Sequence, residues 1–226
     1  MKMSKSKIAI LVVIIVLILD QTMKIWVKTH MYINESFSLF GDWFQIRFIE
    51  NEGMAFGMKL GGDYGKLILS LFRILAVGGI IYYIARMIKE GAKTGLVISF
   101  SLILAGAIGN IIDSMFYGLI FTDSYSGVAT MFPEQGYATF LHGRVVDMLW
   151  MPMIEGHFPS WFPFWGNESF LFFSPIFNLA DSAISIGVVI ILAFQKKFYP
   201  KPDENKIAEE NLSTDSPTDT KPTSTL

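Results

Sequence analysis

Four long apolar runs dominate the hydrophobic pattern of the chain. They are Ile8–Leu19, Leu67–Ala85, Thr94–Ile112 and Ile176–Phe194. One arginine lies within the second run, one aspartate within the fourth, and the other two runs carry no charge. Because roughly 20 apolar residues in a helix cross the hydrocarbon core of a bilayer, about 30 Å thick, we predict four membrane-spanning helices. Their predicted limits are about 8–28, 67–88, 94–113 and 176–196.

Basic residues are distributed unevenly between the links that join these helices. They crowd the link between the second and third helices and the segment after the fourth: Arg86, Lys89, Lys93, Lys196, Lys197 and Lys201. Because short basic loops stay on the cytoplasmic side, we predict that both termini are cytoplasmic and that the segments near 29–66 and 114–175 face outward. A basic leader precedes the first run, but no small-residue cleavage pattern follows Leu19, so we predict a retained anchor.

The outer segments and the C-terminal tail differ in composition. The first outer segment is rich in aromatic and β-branched residues at Phe37–Phe40 and Trp43–Ile49, which predicts a small sheet or hairpin. The second is dense in Trp, Phe and Pro, which suits the headgroup region of the outer leaflet. We therefore predict a mainly α integral membrane fold over residues 1–199. The tail, residues 200–226, is predicted to be a disordered, acidic, cytoplasmic segment.

Composition narrows the possible functions. The chain has 226 residues, of which 17% are charged and 52% are hydrophobic, and its net charge is −2. Basic residues this sparse and balanced argue against a nucleic-acid surface. The absence of cysteine excludes a thiol nucleophile, a thiolate zinc site and a disulfide. His142 and His157 lack a helical ligand spacing and an obvious carboxylate set, so we predict no metal.

Four acids are expected at one level, close to the outer face of the membrane. At 1.5 Å per residue, Asp20, Asp113 and Asp181 lie near the outer ends of their helices, and Asp147 lies in the outer segment. Two carboxyl groups held close share one proton and can activate water for attack on an amide. Asp20 and Lys24, one helical turn apart, favour a structural ion pair instead. Proton or ion transport is a third use of such acids, and the pattern alone leaves these alternatives open.

Five short blocks occur in order along the chain. They are Asp20-Gln21-Thr22-Met23-Lys24, Asn51-Glu52-Gly53-Met54-Ala55-Phe56, Gly106-Ala107-Ile108-Gly109-Asn110-Ile111-Ile112-Asp113, Val145-Val146-Asp147 and Phe177-Asn178-Leu179-Ala180-Asp181. Together they resemble the sequence blocks of the bacterial lipoprotein signal peptidases, signal peptidase II, over about residues 8–196. The resemblance implies a four-helix aspartic endopeptidase of the bacterial inner membrane, with a β-rich cradle and a lid-like helix on the outer side.

The resemblance also implies substrate, partners and residue roles. The substrates would be prolipoproteins, cut immediately before a cysteine modified with diacylglycerol. We expect contact with membrane lipid, no cofactor, no nucleic-acid partner and a monomer. Asp147 and Asp181 correspond to the catalytic dyad. The residues expected to support the site or bind substrate are Asp20, Lys24, Asn51, Gly53, Asn110, Asp113, Arg144, Asn178 and Ala180.

The chain departs from the family pattern beside one of these acids. Ala105 stands where the family usually has Gly, and Ser114 where it has Arg. Losing that Arg removes a bidentate cation beside Asp113. We hypothesise that Arg144 supplies a replacement guanidinium.

The segment between Asp147 and Asp181 is longer than usual for the family, with an aromatic-rich insert near residues 150–173. We expect it to enlarge the surface at the outer leaflet. The alternative function is a component of a proton-coupled membrane transporter. That function predicts ionisable groups across both leaflets, whereas the inner halves of the predicted helices lack acids.

Overall fold

The computed structural model describes residues 3–52, 62–152, 154–172 and 175–199 and is mainly helical. The helices are α1 (Lys5–His30), α2 (Gly62–Lys89), α3 (Thr94–Ile112), α4 (Gly118–Ile120), α5 (Leu179–Ala193) and α6 (Gln195–Phe198). Three helical stretches, Lys5–His30, Tyr64–Lys89 and Thr94–Ile120, are long and apolar enough to cross a membrane, and α5 is a shorter apolar helix. All four predicted runs therefore contain helices. Gly53 and the tail 200–226 lie outside the described residues.

The fourth apolar helix begins later than the sequence predicts. Ile176 and Phe177 form a short strand rather than the first helical residues. Asn178 then caps α5 by accepting a hydrogen bond from the backbone N–H of Asp181 at 2.9 Å. Since Asn is a favoured N-cap residue, the helix begins directly after it, and the start predicted near residue 176 is corrected to Leu179.

Helix α3 lies at the centre of the bundle, packed against α1, α2 and α5. A Cβ at Gly106 would lie 2.2 Å from the carbonyl oxygen of Ala180, and one at Gly109 would lie 2.8 Å from Oδ2 of Asp20. These two glycines therefore permit the close approach of α3 to α5 and α1. An apolar cluster packs between the helices and comprises Ala9, Ile84, Met87, Leu96, Val97 and Leu104.

A small antiparallel sheet lies against the helices. Its strands are β1 (Ser36–Phe40), β2 (Phe44–Asn51), β3 (Val145–Trp150) and β6 (Ile176–Phe177), in the order β1-β2-β3-β6. The predicted hairpin in the first outer segment is confirmed as β1 and β2. In the register of β2 and β3, Ile49 pairs with Asp147, so that the sheet carries one of the predicted catalytic acids to the bundle. The buried side chains of the sheet that join an apolar cluster with α1 include Phe48, Val146 and Met148.

The second outer segment contains short helical turns and a second hairpin. A π-helical turn, Asp113–Tyr117, continues α3 into α4, and a 3-10 turn covers Ser124–Ser126. Strands β4 (Ile154–His157) and β5 (Ser169–Phe172) pair as a separate antiparallel hairpin within the predicted insert. Across the described part of residues 114–175 the helical elements are these short turns, and the lid-like helix stays a prediction.

Candidate active site

Asp147 and Asp181 reach the same place from different elements, one from the middle of β3 and the other from the first turn of α5. Asn178 connects them: its Nδ2 donates to Oδ1 of Asp147 at 2.8 Å, and its Oδ1 accepts from the backbone N–H of Asp181 at 2.9 Å. Asn178 is completely buried. Asn178, the residue that caps α5, therefore also connects the two acids.

A second asparagine completes the connection on the opposite side. Nδ2 of Asn110 in α3 donates to Oδ1 of Asp181 at 2.8 Å, and its Oδ1 accepts from Nδ2 of Asn178 at 3.0 Å. That oxygen also accepts from Nζ of Lys24 at 2.9 Å. An ammonium group can only donate, so the amide of Asn110 must turn its NH₂ group toward Asp181. The two asparagines thus form a continuous chain of hydrogen bonds between the acids.

The environment of Asp147 favours its protonated form. The residue is 4% exposed, and burial together with the charge of Asp181 raises the pKa of Asp147 to about 7. Hydrogen bonds from Asn51, at 3.3 Å, and from Asn178 act in the opposite direction. Because desolvation and a like charge both oppose ionisation, the two acids can hold one shared proton near neutral pH.

Lys24 lies at the centre of a buried charge cluster beneath the dyad. Its Nζ is 3.0 Å from Oδ2 of Asp20 and 2.8 Å from Oδ2 of Asp113, and none of the three side chains is exposed. The ion pair predicted from the spacing of Asp20 and Lys24 is thus present. Asp20 also accepts from the backbone N–H of Ala180 at 2.9 Å, and Asp113 from that of Val146 at 3.2 Å. The cluster therefore holds the start of α5 and the middle of β3, the two segments that carry the dyad.

Arg144 does not take the place of the arginine missing at Ser114. Its guanidinium donates to Oε2 of Glu50 and to Oδ1 of Asp123, each at 2.9 Å. Asp113 is paired with Lys24 instead. The hypothesis that Arg144 pairs with Asp113 is therefore wrong. Arg144 precedes β3, and its side chain extends to the strand neighbour β2 rather than to the end of α3.

Glu50 belongs to a second buried charge cluster that the sequence analysis missed. Lys28, near the C-terminal end of α1, forms an ion pair with Glu50, and its Nζ donates to Oγ of Ser124 at 2.8 Å. Glu50 precedes Asn51, the donor to Asp147, so the cluster fixes this end of β2 to α1. Two periodicities could have revealed it: Lys28 follows Asp20 and Lys24 at helical spacing, and Glu50 continues the alternating buried positions of β2.

Two further polar residues near the dyad were also missed. Gln21 donates to both Asp20, at 3.1 Å, and Asp113, at 3.0 Å. Arg73, in α2, interacts electrostatically with Asp181, Asp113 and Asp147. The signal for Arg73 was its position as the single charge within an apolar run, because a cation in a span requires counter-charges. No group of three His, Cys, Asp or Glu side chains placed for a metal ion occurs among the described residues.

Comparison with known proteins identifies the family to which this chain belongs. A family model described as signal peptidase (SPase) II matches residues 12–196, a range that includes both acids and both buried charge clusters. The chain belongs to the signal peptidase II family. The lipoprotein signal peptidase of Porphyromonas gingivalis strain W83 is 51% identical over 193 residues, which cover 84% of each chain. That of Amoebophilus asiaticus strain 5a2 is 35% identical over 202 residues, 88% of this chain and 82% of its own.

The fold agrees with this family assignment. A bacterial membrane enzyme solved by the in meso method is 25% identical, with a TM-score of 0.54 over 85% of this chain and 95% of its own. Signal peptidase II enzymes are proteases that remove signal peptides from prolipoproteins, and this chain is a member of that class. These matches do not favour the alternative function, a component of a proton-coupled membrane transporter.

Proposed function

We propose that the chain is a membrane aspartic endopeptidase in which Asp147 and Asp181 are the catalytic pair. The observation that carries this proposal is the connection of the two carboxyl groups through Asn178 and Asn110. It holds two acids from separate elements together, and one of them has its pKa raised to about 7. Such a pair supplies both a base and an acid at neutral pH.

The two carboxyl groups divide the work of amide hydrolysis. The ionised carboxylate accepts a proton from a water molecule as the water oxygen bonds to the scissile carbonyl carbon. The protonated carboxyl donates its proton to the carbonyl oxygen. The first carboxyl, now protonated, gives its proton to the leaving nitrogen as the C–N bond breaks, and the second, now a carboxylate, takes a proton back from a hydroxyl of the tetrahedral intermediate.

The proposed position of the site in the membrane explains how a lipid-modified substrate would reach the dyad. We propose four spans with both termini cytoplasmic and with the dyad near the outer leaflet of the inner membrane. Asp181 lies in the first turn of α5, and Asp113 lies in the second half of the helical stretch Thr94–Ile120, so both acids lie toward the proposed outer ends of their helices. A prolipoprotein with diacylglycerol on its cysteine would keep its acyl chains in the leaflet while the peptide bond before that cysteine reaches the dyad.

A cleavage assay tests this function. The purified protein in detergent is incubated with a diacylglyceryl-modified prolipoprotein, and the products are mapped by mass spectrometry. We expect one cut, immediately before the modified cysteine, and at least about tenfold slower cleavage of the matched unmodified precursor, because the lost acyl contacts contribute binding energy. Equal cleavage of both precursors would contradict the lipid requirement. No cleavage of either would contradict the peptidase function.

A further inference from the structure

The hairpin in the insert ends in a loop with unusually exposed aromatic side chains. We call residues 158–168, between β4 and β5, the aromatic loop. Trp161 is 77% exposed, Phe164 91% and Trp165 51%. Glu168, at the base of the loop, is its only charged residue, and the chain contains no Lys or Arg from 145 to 195. Single exposed apolar residues are common on protein surfaces, but three large exposed rings in one short loop form an apolar patch that needs an explanation.

Internal contacts give the aromatic loop a defined shape. The backbone N–H groups of Phe158 and Asn167 donate to the carbonyls of Glu168 and Phe158, at 2.9 and 3.0 Å. The rings of Phe158 and Phe162 stack with centroids 5.0 Å apart, and Trp165 lies 6.3 Å from Phe158. These contacts form a base from which the exposed rings project.

The backbone conformation of Phe164 is energetically unfavourable, and a contact of its ring outside the protein would offset that cost. Its φ is +77°, in the left-handed region that bulky residues rarely adopt. Although its ring meets that of Trp165 edge-on at 6.1 Å, the side chain remains almost fully exposed. Strained residues persist where a surrounding structure or a ligand compensates for them. An apolar environment at the tip of the loop would provide that compensation.

The position of α5 places this loop beside the lipid headgroups. The distance along the helical segment from Lys196, at its proposed cytoplasmic end, to Leu179 is roughly 26 Å, slightly less than the thickness of the hydrocarbon core. α5 therefore begins at the outer edge of the core. The hairpin is joined to α5 through β6, which is paired with Leu149 and Trp150 of β3. The hairpin is therefore attached close to the outer edge of the core, within reach of the interface in which Trp and Phe side chains can bury their rings.

We propose that the aromatic loop is an anchor that inserts Trp161, Phe164 and Trp165 into the headgroup region of the outer leaflet. The inference rests on the proposed membrane placement and not on the peptidase chemistry. Because the loop lacks basic residues, its insertion depends on the burial of apolar surface rather than on attraction to anionic lipid. Insertion should therefore be unaffected by salt and equal in zwitterionic and anionic bilayers.

The absence of cysteine allows a direct test with single, uniquely labelled positions. Phe164→Cys in the full chain is labelled with a nitroxide and reconstituted into phosphatidylcholine vesicles. Accessibility to oxygen, which concentrates in lipid, is compared with accessibility to a water-soluble nickel chelate. Ile18→Cys, at a position in α1 that is 60% exposed, serves as the lipid-facing control. Glu134→Cys, at an exposed position of the second outer segment, serves as the aqueous control.

The inference predicts that the label at 164 resembles that at 18, with oxygen accessibility above nickel accessibility. A label at 164 that resembles the one at 134, with Ile18 still lipid-facing, would overturn the anchor alone. If Ile18 also reports water, the proposed membrane placement falls with it. As a second measurement, lipids brominated near the headgroup should quench tryptophan fluorescence less after Trp161→Phe and Trp165→Phe. Unchanged quenching in that double variant would also overturn the anchor.

Discussion

Replacing Lys24 with methionine should destabilise the protein strongly while leaving its volume nearly unchanged. The ammonium group lies within 3.0 Å of Asp20, 2.8 Å of Asp113 and 2.9 Å of Asn110, and its side chain is fully buried. Lys24→Met would leave two buried carboxylates without their shared cation. Breaking a buried ion pair by removal of one partner costs about 3–5 kcal/mol, so we expect the free energy of unfolding to fall by about that amount.

The measurement is equilibrium denaturation of the protein in mixed micelles. Arg86→Ala is the matched control, because Arg86 pairs with Glu90 at a distance of 2.7 Å but both side chains are more than half exposed. Exposed pairs contribute little, so this variant should be indistinguishable from wild type. Asp113→Asn in the Lys24→Met background should recover part of the loss, because it removes one unpaired charge. A loss below about 1 kcal/mol for Lys24→Met would instead mean that the cation is not needed to compensate the buried acids.

Three further predictions concern the dyad and the packing around it. The pKa of Asp147 is raised to about 7, so the rate of cleavage should fall as the pH rises through 7 and the pair loses its shared proton. Wild-type stability should fall as the pH rises from about 4 to 7, and Asp147→Asn should make this slope shallower in denaturation experiments. Asn178→Ala should reduce kcat by about 10- to 100-fold, the kinetic equivalent of losing a hydrogen bond to a charged group, and single-turnover rates near wild type would contradict this role. Gly106→Ala should cost about 1–3 kcal/mol of unfolding free energy by overpacking the contact of α3 with α5. Its control, Gly78→Ala, has nothing within 4 Å of the added methyl and should be neutral or slightly stabilising.

Most of the helical framework could be predicted from the sequence because a bilayer imposes a minimum length on each apolar run. The four runs all contain helices, and the spacing of Asp20 and Lys24 predicted their ion pair. The predicted start of α5 was wrong because Ile176 and Phe177, which are compatible with either helix or strand, pair with β3. That choice depends on a partner strand far away in the chain, which local patterns do not contain.

Contacts between distant elements account for the remaining differences. Arg144 is three residues from Asp147 in the sequence, but its partner Glu50 comes from β2, and only the register of β2 and β3 brings the two together. The double role of Asn178, as helix cap and as donor to Asp147, is similarly invisible without the sheet. Motif resemblance could identify these residues as part of a site, whereas their individual contacts required the fold.

If Asp147 and Asp181 perform the cleavage together, isosteric replacement of either should nearly abolish it, and single-turnover kinetics measures that loss. Asp147→Asn and Asp181→Asn are compared with wild type on a diacylglyceryl-modified prolipoprotein, with enzyme in excess and with folding verified by denaturation. We expect each variant to lose at least about a thousandfold in rate and the double variant to lose little more, because residues that act as one unit are not additive. Cleavage by either single variant within about tenfold of the wild-type rate would contradict the claim.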